Sequence, residues 1–407
     1  MLDPIDAKDL HSTWCNSAAL LKELDVDLTE NPVGGKIHRD EDESPSGLLS
    51  EAAAVALVWP HIARYTPLED RIEALREAVI VYTQAAYTGM VEMAMDESAW
   101  AGLQLLRSLE RLPSPVAAHW LISPSDDETV TLKQVDRAIE LREKFNLDTS
   151  PALRLTGIKI ICDGVVDACT AALTQAYSSN SVSCSPLWTP RMLGPVIQKA
   201  DSVGLQCALH AIGDAAIKNA IDALEKFGTP GRSHRIEHLE LTSPEEAKRL
   251  GKAGIIASAQ PVHSDPAILR AWPKLLGEAK CEQTCAYKDF LDGVAVLALG
   301  SDAPTAPYVP LSNLCCATTR RSAKEPESLG TTNEQHALQL ATTMAAATEG
   351  AAYSCFPDAW TGRLRAGLKA DFAVVDMSWT SEDLPEAQVC QTWFEGKKVY
   401  DCDDEGH

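Results

Sequence analysis

Positive charge is scarce in this chain: 36 Lys+Arg stand against 58 Asp+Glu in 407 residues, a formal net charge of 36 − 58 = −22. That deficit argues against a nucleic-acid partner, whose phosphates need a cationic footprint. It argues equally against docking on an anionic membrane. Long apolar runs are also missing. None reaches the ~18 residues of a spanning helix, and the longest, such as Val294–Leu299, have the length of buried strands. The opening MLDPIDAKDLHST has no basic or apolar region of a secretory signal, nor the Arg-rich, acid-poor character of a transit peptide. There is no CxxC pair. The 12 cysteines are scattered, with Cys281/Cys285 and Cys315/Cys316 as the tightest groups. Reduced thiols in a cytoplasmic protein are the expectation. No internal repeat or low-complexity tract interrupts the chain.

What is present is ordinary globular material, 45% hydrophobic and 23% charged. Residues 1–50 read as irregular, with turn formers at Asn31, Pro32, Gly34, Gly35, Pro45 and Gly47. Helical spacing takes over across 51–88. A strand-like MVEMAM follows, and then helices alternate with short apolar strands. The strands are expected at Val116–Ser123, Gly157–Cys162, Gln206–His210, His234–Leu239, Ile255–Gln260 and Val294–Gly300. Glu334–Ala352 reads as one helix, and the last ~45 residues as strands and turns. This alternation specifies an α/β fold with a buried parallel sheet, more in keeping with a (β/α)8-type TIM barrel than with an open sheet.

The active site of a parallel barrel lies at the carboxyl ends of its strands. The polar residues there are Lys159, His210, His234 and His238 of HRIEH, His263 and Asp302. Neutral imidazoles and carboxylates are the usual zinc ligands. A protonated lysine is a poor one unless carboxylated on its amine. Taken singly, each has a structural alternative. A strand-end histidine is often just a satisfied polar residue, Lys159 could pair with Asp163, and Asp302 could cap a turn. His234 opens its strand rather than ending it, which suits an orienting or substrate role.

Several segments, in order over nearly the whole chain, resemble the amidohydrolase superfamily, specifically its amidohydrolase-3 branch (the YtcJ-like, N-substituted formamide deformylase group). They are DLHSTWCNSAAL, GIKIICDGVVDACTAAL, HAIGDAAIKNAIDALE, HRIEHLELTSPEEAKRLGKAGIIASAQPVH, LALGSDAPTAPYVPLSNLCCATTR and, near the end, GRLRAGLKADFAVVD with VCQTWFEGKKVYD. The resemblance implies a TIM-type barrel with a small composite β-sandwich. It implies hydrolysis of a carbon–nitrogen, non-peptide bond such as an amide or formamide by metal-activated water. Carried over, Lys159, His210, His238 and Asp302 would hold a divalent metal, by expectation Zn2+, and Asp302 would move the proton. His11, Asn16, Asp214, His234 and His263 would face a small-molecule substrate or support the site, with Asp163 a weaker candidate.

Relatives carry an HxH pair on their first barrel strand, whereas none of the 10 histidines here lies two residues from another. The barrel is therefore expected to miss its first strand, and the C-terminal strands to form only part of the sandwich. The expected division is 1–75 as a substrate-side and helical segment, 76–360 as the hydrolase barrel, and 361–407 as sandwich strands. Two functional readings stay open: a metal-dependent hydrolase, or a truncated non-catalytic relative that binds a small molecule or partner. Homo-oligomerisation is left open as well.

Overall fold

Alternating strands and amphipathic helices can bury both faces of a sheet only by layering helices over it, and the computed structural model shows that arrangement. It describes residues 5–7, 10–16 and 30–406. Asp9 and Ser17–Leu20 of the DLHSTWCNSAAL segment lie outside them. Strands β1 (Ile5–Asp6), β2 (Ser12–Trp14), β3 (Gly35–Arg39) and β4 (Pro45–Glu51) form an antiparallel sheet in the order β1-β2-β4-β3. The expectation of an irregular first 50 residues is therefore corrected. Its turn formers mark the ends of short strands: Asn31 Oδ1 accepts the Ile37 N–H at 2.7 Å at the entry to β3. This sheet has its own core of Cys15, Ile37, Leu49, Ala53 and Val58.

The body is a seven-stranded parallel sheet: β5 (Met90–Met95), β6 (Val116–Ile122), β7 (Leu153–Ile161), β8 (Gln206–Ala211), β9 (Arg235–His238), β10 (Ile256–Ala259) and β11 (Leu297–Leu299). Spatial order follows chain order from β5 to β11, as short crossovers of one hand require. Residues of both edge strands, β5 and β11, line one cavity, so the sheet curls on itself as part of a (β/α)8-type barrel. Among the described residues β5 and β11 are not paired with each other. The main apolar core lies between the strands and their outer helices, such as Asp214–Phe227, which buries Ala216, Ile217, Ala220 and Ile221 at helical spacing. Close approach explains Gly157: a Cβ there would lie 2.1 Å from the Gln206 carbonyl oxygen of β8.

Two boundaries differ from the sequence expectation. Leu68–Gln84 is one helix, so a division at 75/76 falls inside it. Glu334–Ala352 is broken into a 3-10 turn at Glu334–His336, a helix at Leu340–Ala345 and a π turn at Ala346–Gly350. Close packing explains the latter. A Cβ at Gly350 would meet the Leu297 carbonyl of β11 at 2.2 Å, so the segment is shaped by contact with the sheet. Strands β12 (Phe372–Asp376), β13 (Gln388–Phe394) and β14 (Lys397–Asp401) form the C-terminal antiparallel sheet. It packs against helix Leu68–Gln84, where the Thr392 hydroxyl donates to the Thr83 carbonyl at 2.7 Å. All 12 cysteines are free thiols. No helix among the described residues is long and apolar enough to cross a membrane.

The barrel interior is polar below the cavity, and this has a pH consequence. His119 of β6 is fully buried, with Nε2 2.7 Å from Gln206 Oε1. Burial, then the nearby Arg235 charge, pulls its pKa down to about 3, against weaker opposing effects of Gln206 and Glu237. The unfolded chain binds this proton near pH 6.5 and the folded chain only near 3. The contribution to stability is therefore complete above about pH 6.5 and is lost as pH falls toward 3, up to roughly 5 kcal/mol. His119→Gln, which keeps an amide N–H near the Nε2 position, should flatten that acid limb in urea titrations. Superimposable wild-type and variant pH profiles would contradict it.

Candidate metal centre

Period-two alternation along the strands sends Gly157, Lys159 and Ile161 of β7, and Gln206, Ala208 and His210 of β8, to one face. His238 is the last residue of β9. His263 follows β10 in a 3-10 turn, and Asp302 lies beyond the end of β11. Lys159, His210, His238, His263, Asp302 and His11 all line a single cavity of about 980 Å3 at the carboxyl ends of the strands. Its other walls are largely apolar, including Val55, Trp59, Leu75, Val79, Met93 and Trp272. His238 (φ 74°) and Asp302 (φ 58°) both have left-handed backbones, a conformation costing non-glycine residues about 1–3 kcal/mol. Strain of this kind concentrates where function dictates the direction of a side chain.

The imidazoles form a row. Ring centroids are 5.5 Å apart for His11–His210, 4.4 Å for His210–His238 and 5.6 Å for the stacked pair His238–His263. Burial, then each other's charge and that of Lys159, drives the His210 pKa well below its ordinary value. Burial brings His238 down to about 4. Both are thus neutral, the ligating form. His210 Nε2 and His238 Nδ1 are buried with no hydrogen-bond partner. An unpaired buried polar atom costs about 1–3 kcal/mol, and two of them beside one cavity fit an ion. Lys159 is buried on β7, and burial lowers its pKa against the attraction of Glu237 and Asp302.

Asp302 is 31% exposed where it lines the cavity, with Oδ2 3.3 Å from His263 Nε2. Burial opposes its ionisation, but His238, His263 and the Thr305 hydroxyl hold it well below the usual carboxylate range. Burial also lowers the His263 pKa, yet hydrogen bonding with Asp302 and Glu240 carries it up to about 10.

Other sequence candidates lie elsewhere. Asp163 does not pair with Lys159. It accepts backbone N–H groups of Ala172, Ile212 and Gly213 at 2.8–3.0 Å, which anchors the loops around His210, and it lies 3.6 Å from His210 Nε2. His234 does not join the cavity. It immediately precedes β9, at the amino end of the barrel, where Nδ1 accepts the Cys207 N–H and Nε2 meets Asp201 at 3.1 Å. Asp214 begins its helix and binds Thr174 and Lys280, and Asn16 is exposed. Neither lines the cavity. His11 does, with Nδ1 2.7 Å from Glu51 Oε2.

Several cavity carboxylates, among them Glu51, Glu92 and Glu240, escaped the sequence reading. Glu240 accepts from His263 Nδ1 at 2.8 Å, Glu51 pairs with His11, and Glu92 of β5 is pushed up to about 7 by burial with Oε2 unpartnered. Glu240 carried a signal, two residues after His238 and just past its strand. Donor atoms of His238, Glu240 and His263 lie within 4.8 Å of one another.

A family profile described as "Amidohydrolase family" matches residues 3–400. The chain belongs to the amidohydrolase family. It is 30% identical to "Protein LONG AFTER FAR-RED 3" of Arabidopsis thaliana over 96% of this chain and 68% of that protein. It is 23% identical to "N-substituted formamide deformylase" of Arthrobacter pascens over 98% of this chain and 73% of that enzyme. A crystal structure described as an uncharacterized metal-dependent hydrolase from Pyrococcus horikoshii superposes with a TM-score of 0.72 at 24% identity, covering 91% of this chain and 70% of that one, and shows the same fold. Family membership together with the donor cluster makes the amidohydrolase chain a hydrolase of the metal-dependent kind.

Proposed function

We propose that the protein hydrolyses a carbon–nitrogen bond outside peptides, an amide or formamide of a small molecule, with a divalent ion held by Lys159, His210, His238 and Asp302. The observation that carries this reading is the pair of buried, unpartnered nitrogens, His210 Nε2 and His238 Nδ1, in the same cavity as Asp302 and Lys159. Zn2+, the ion that this mixed nitrogen–oxygen set suits best, would supply Lewis-acid polarisation of the carbonyl and a water of lowered pKa. Lys159 would contribute as its carbamate, since burial already disfavours its ammonium form.

The remaining steps belong to the chain. Asp302, ionised at neutral pH, accepts the proton of the attacking water and returns it to the departing nitrogen. His263 and Glu240 hold the Asp302 side of the cavity in place. The apolar walls take up the carbon skeleton and exclude water around the scissile bond. The match to the amidohydrolase family along residues 3–400 favours a catalytic over a purely binding role. The name of the Arthrobacter relative supports the carbon–nitrogen choice.

The test is a panel of N-substituted formamides, linear amides and cyclic amides, assayed with Zn2+ and after chelation. Turnover of at least one class is expected. Chelation should reduce it at least a hundredfold, and added Zn2+ should restore it. Turnover indifferent to chelation, or none across the panel from the Zn2+-loaded protein, would contradict the proposal.

A further inference from the structure

Glu92 lies in the middle of β5 and lines the cavity. The pairing of β5 with β6 slips between Glu92 and Met95, and within that irregularity Glu92 Oε1 accepts the Ala94 N–H at 3.0 Å. This bond fixes the carboxyl group and leaves Oε2 buried without a hydrogen-bond partner. A buried carboxylate oxygen is costly until a cation or a donor meets it. Lys159 attracts the group, but as the proposed carbamate it would supply no positive charge. Burial pushes the Glu92 pKa up to about 7, so the carboxyl ionises readily at neutral pH when a cation arrives. Depth sets Glu92 apart from the ion. It pairs with Ala118 of β6, whereas Lys159 pairs with Leu121. Three residues along a strand span about 10 Å. Met90 and Leu121 of these strands, with Leu75 and Leu103 of the helices Leu68–Gln84 and Glu97–Leu109, give the cavity apolar walls.

We propose that Glu92 sets the substrate class: its Oε2 pairs with a primary ammonium group at the far end of the substrate, whose apolar chain runs along these walls to an amide or formamide at the ion. The inference rests on the hydrolytic reading above and names its substrate, a monoacylated alkyl diamine with its free ammonium about 10 Å from the level of Lys159. A neutral chain of equal length covers the same walls but leaves Oε2 unpaired. Discrimination therefore comes from the buried polar atom and not from the apolar surface. The net charge of −22 draws such a cation toward the protein from a distance.

The test compares the monoformamide of heptanediamine with N-octylformamide, which has the same length and a methyl group in place of the ammonium. Both are assayed on the Zn2+-loaded wild type, Glu92→Gln and Glu92→Asp, and octylammonium chloride is titrated into each protein by calorimetry. Circular dichroism controls for folding. The wild type should favour the ammonium-bearing formamide at least tenfold in kcat/KM, the usual contribution of a hydrogen bond to a charged group. Glu92→Gln should lose that preference and bind octylammonium at least tenfold more weakly. Glu92→Asp, which keeps the charge on a shorter stem, should retain part of both. No preference in the wild type, or an undiminished one in Glu92→Gln, would overturn this inference and leave the hydrolytic reading standing. No turnover of either formamide or of any amide in the panel would overturn the hydrolytic reading. Octylammonium then decides the inference by itself, and equal affinity in wild type and Glu92→Gln would overturn it.

Discussion

Asp302→Asn should lower kcat by about 10²–10⁴-fold, the usual contribution of a positioned acid–base group, and leave the fold intact. Asn has nearly the shape of Asp, so the turn after β11 and its left-handed backbone can persist, and Asn is among the residues that best tolerate that conformation. What is lost is the charge and the proton-accepting oxygen facing His263. The side chain is partly exposed to the cavity, so the change in unfolding free energy should stay within about 1 kcal/mol. Because Asp302 is also proposed to touch the ion, metal content must be measured on the same preparation. Loss of turnover with metal retained isolates proton transfer, whereas loss of both points to ligation. Activity within tenfold of wild type, on a substrate the wild type hydrolyses, would remove Asp302 from the mechanism.

Arg235→Met should be the most destabilising single change in the barrel, by about 3–5 kcal/mol. The Arg235 guanidinium donates to both Glu237 oxygens at 2.5 and 3.2 Å, to the Ser258 hydroxyl at 2.7 Å and to Ser354 at 3.0–3.2 Å. Both members of the ion pair are almost wholly buried, 6% and 3% exposed. Methionine replaces the aliphatic stem but leaves Glu237 in the barrel without its bidentate partner. Lys159, which also attracts Glu237, softens the loss without replacing that geometry. The double variant Arg235→Met/Glu237→Leu should recover most of the stability, because removing both charges also removes the desolvation penalty. Urea denaturation provides the measurement. A loss below about 1 kcal/mol for the single variant would mean that the pair is solvated in the folded protein.

The parallel body was legible in the sequence because each unit pairs a short apolar run with a strongly amphipathic helix. IKII and QCALHA sit in the interior on both faces, and AAIKNAIDALEKF buries its alanines and isoleucines. The first sheet was hidden because its strands are only two to seven residues long and alternate weakly. Thr13 and Ser50 occupy buried positions where a pattern reader looks for aliphatics. The strand-end donors announced themselves as polar residues closing apolar strands. Their neighbours did not, because Glu51 and Glu92 reach the cavity from segments distant in the chain. His234 misled for a geometric reason. Four residues before His238, it lies just ahead of the amino end of that short strand and faces Asp201.

The central claim is that His210, His238 and Asp302, with Lys159, hold one ion at the carboxyl ends of β7 to β11. X-ray diffraction from Zn2+-loaded crystals, collected on both sides of the zinc absorption edge, tests it most directly. The account predicts one strong anomalous peak within bonding distance of His210 Nε2, His238 Nδ1 and an Asp302 oxygen. A Zn2+-loaded crystal with no peak in the cavity, or with its peak only at surface carboxylates, would contradict it.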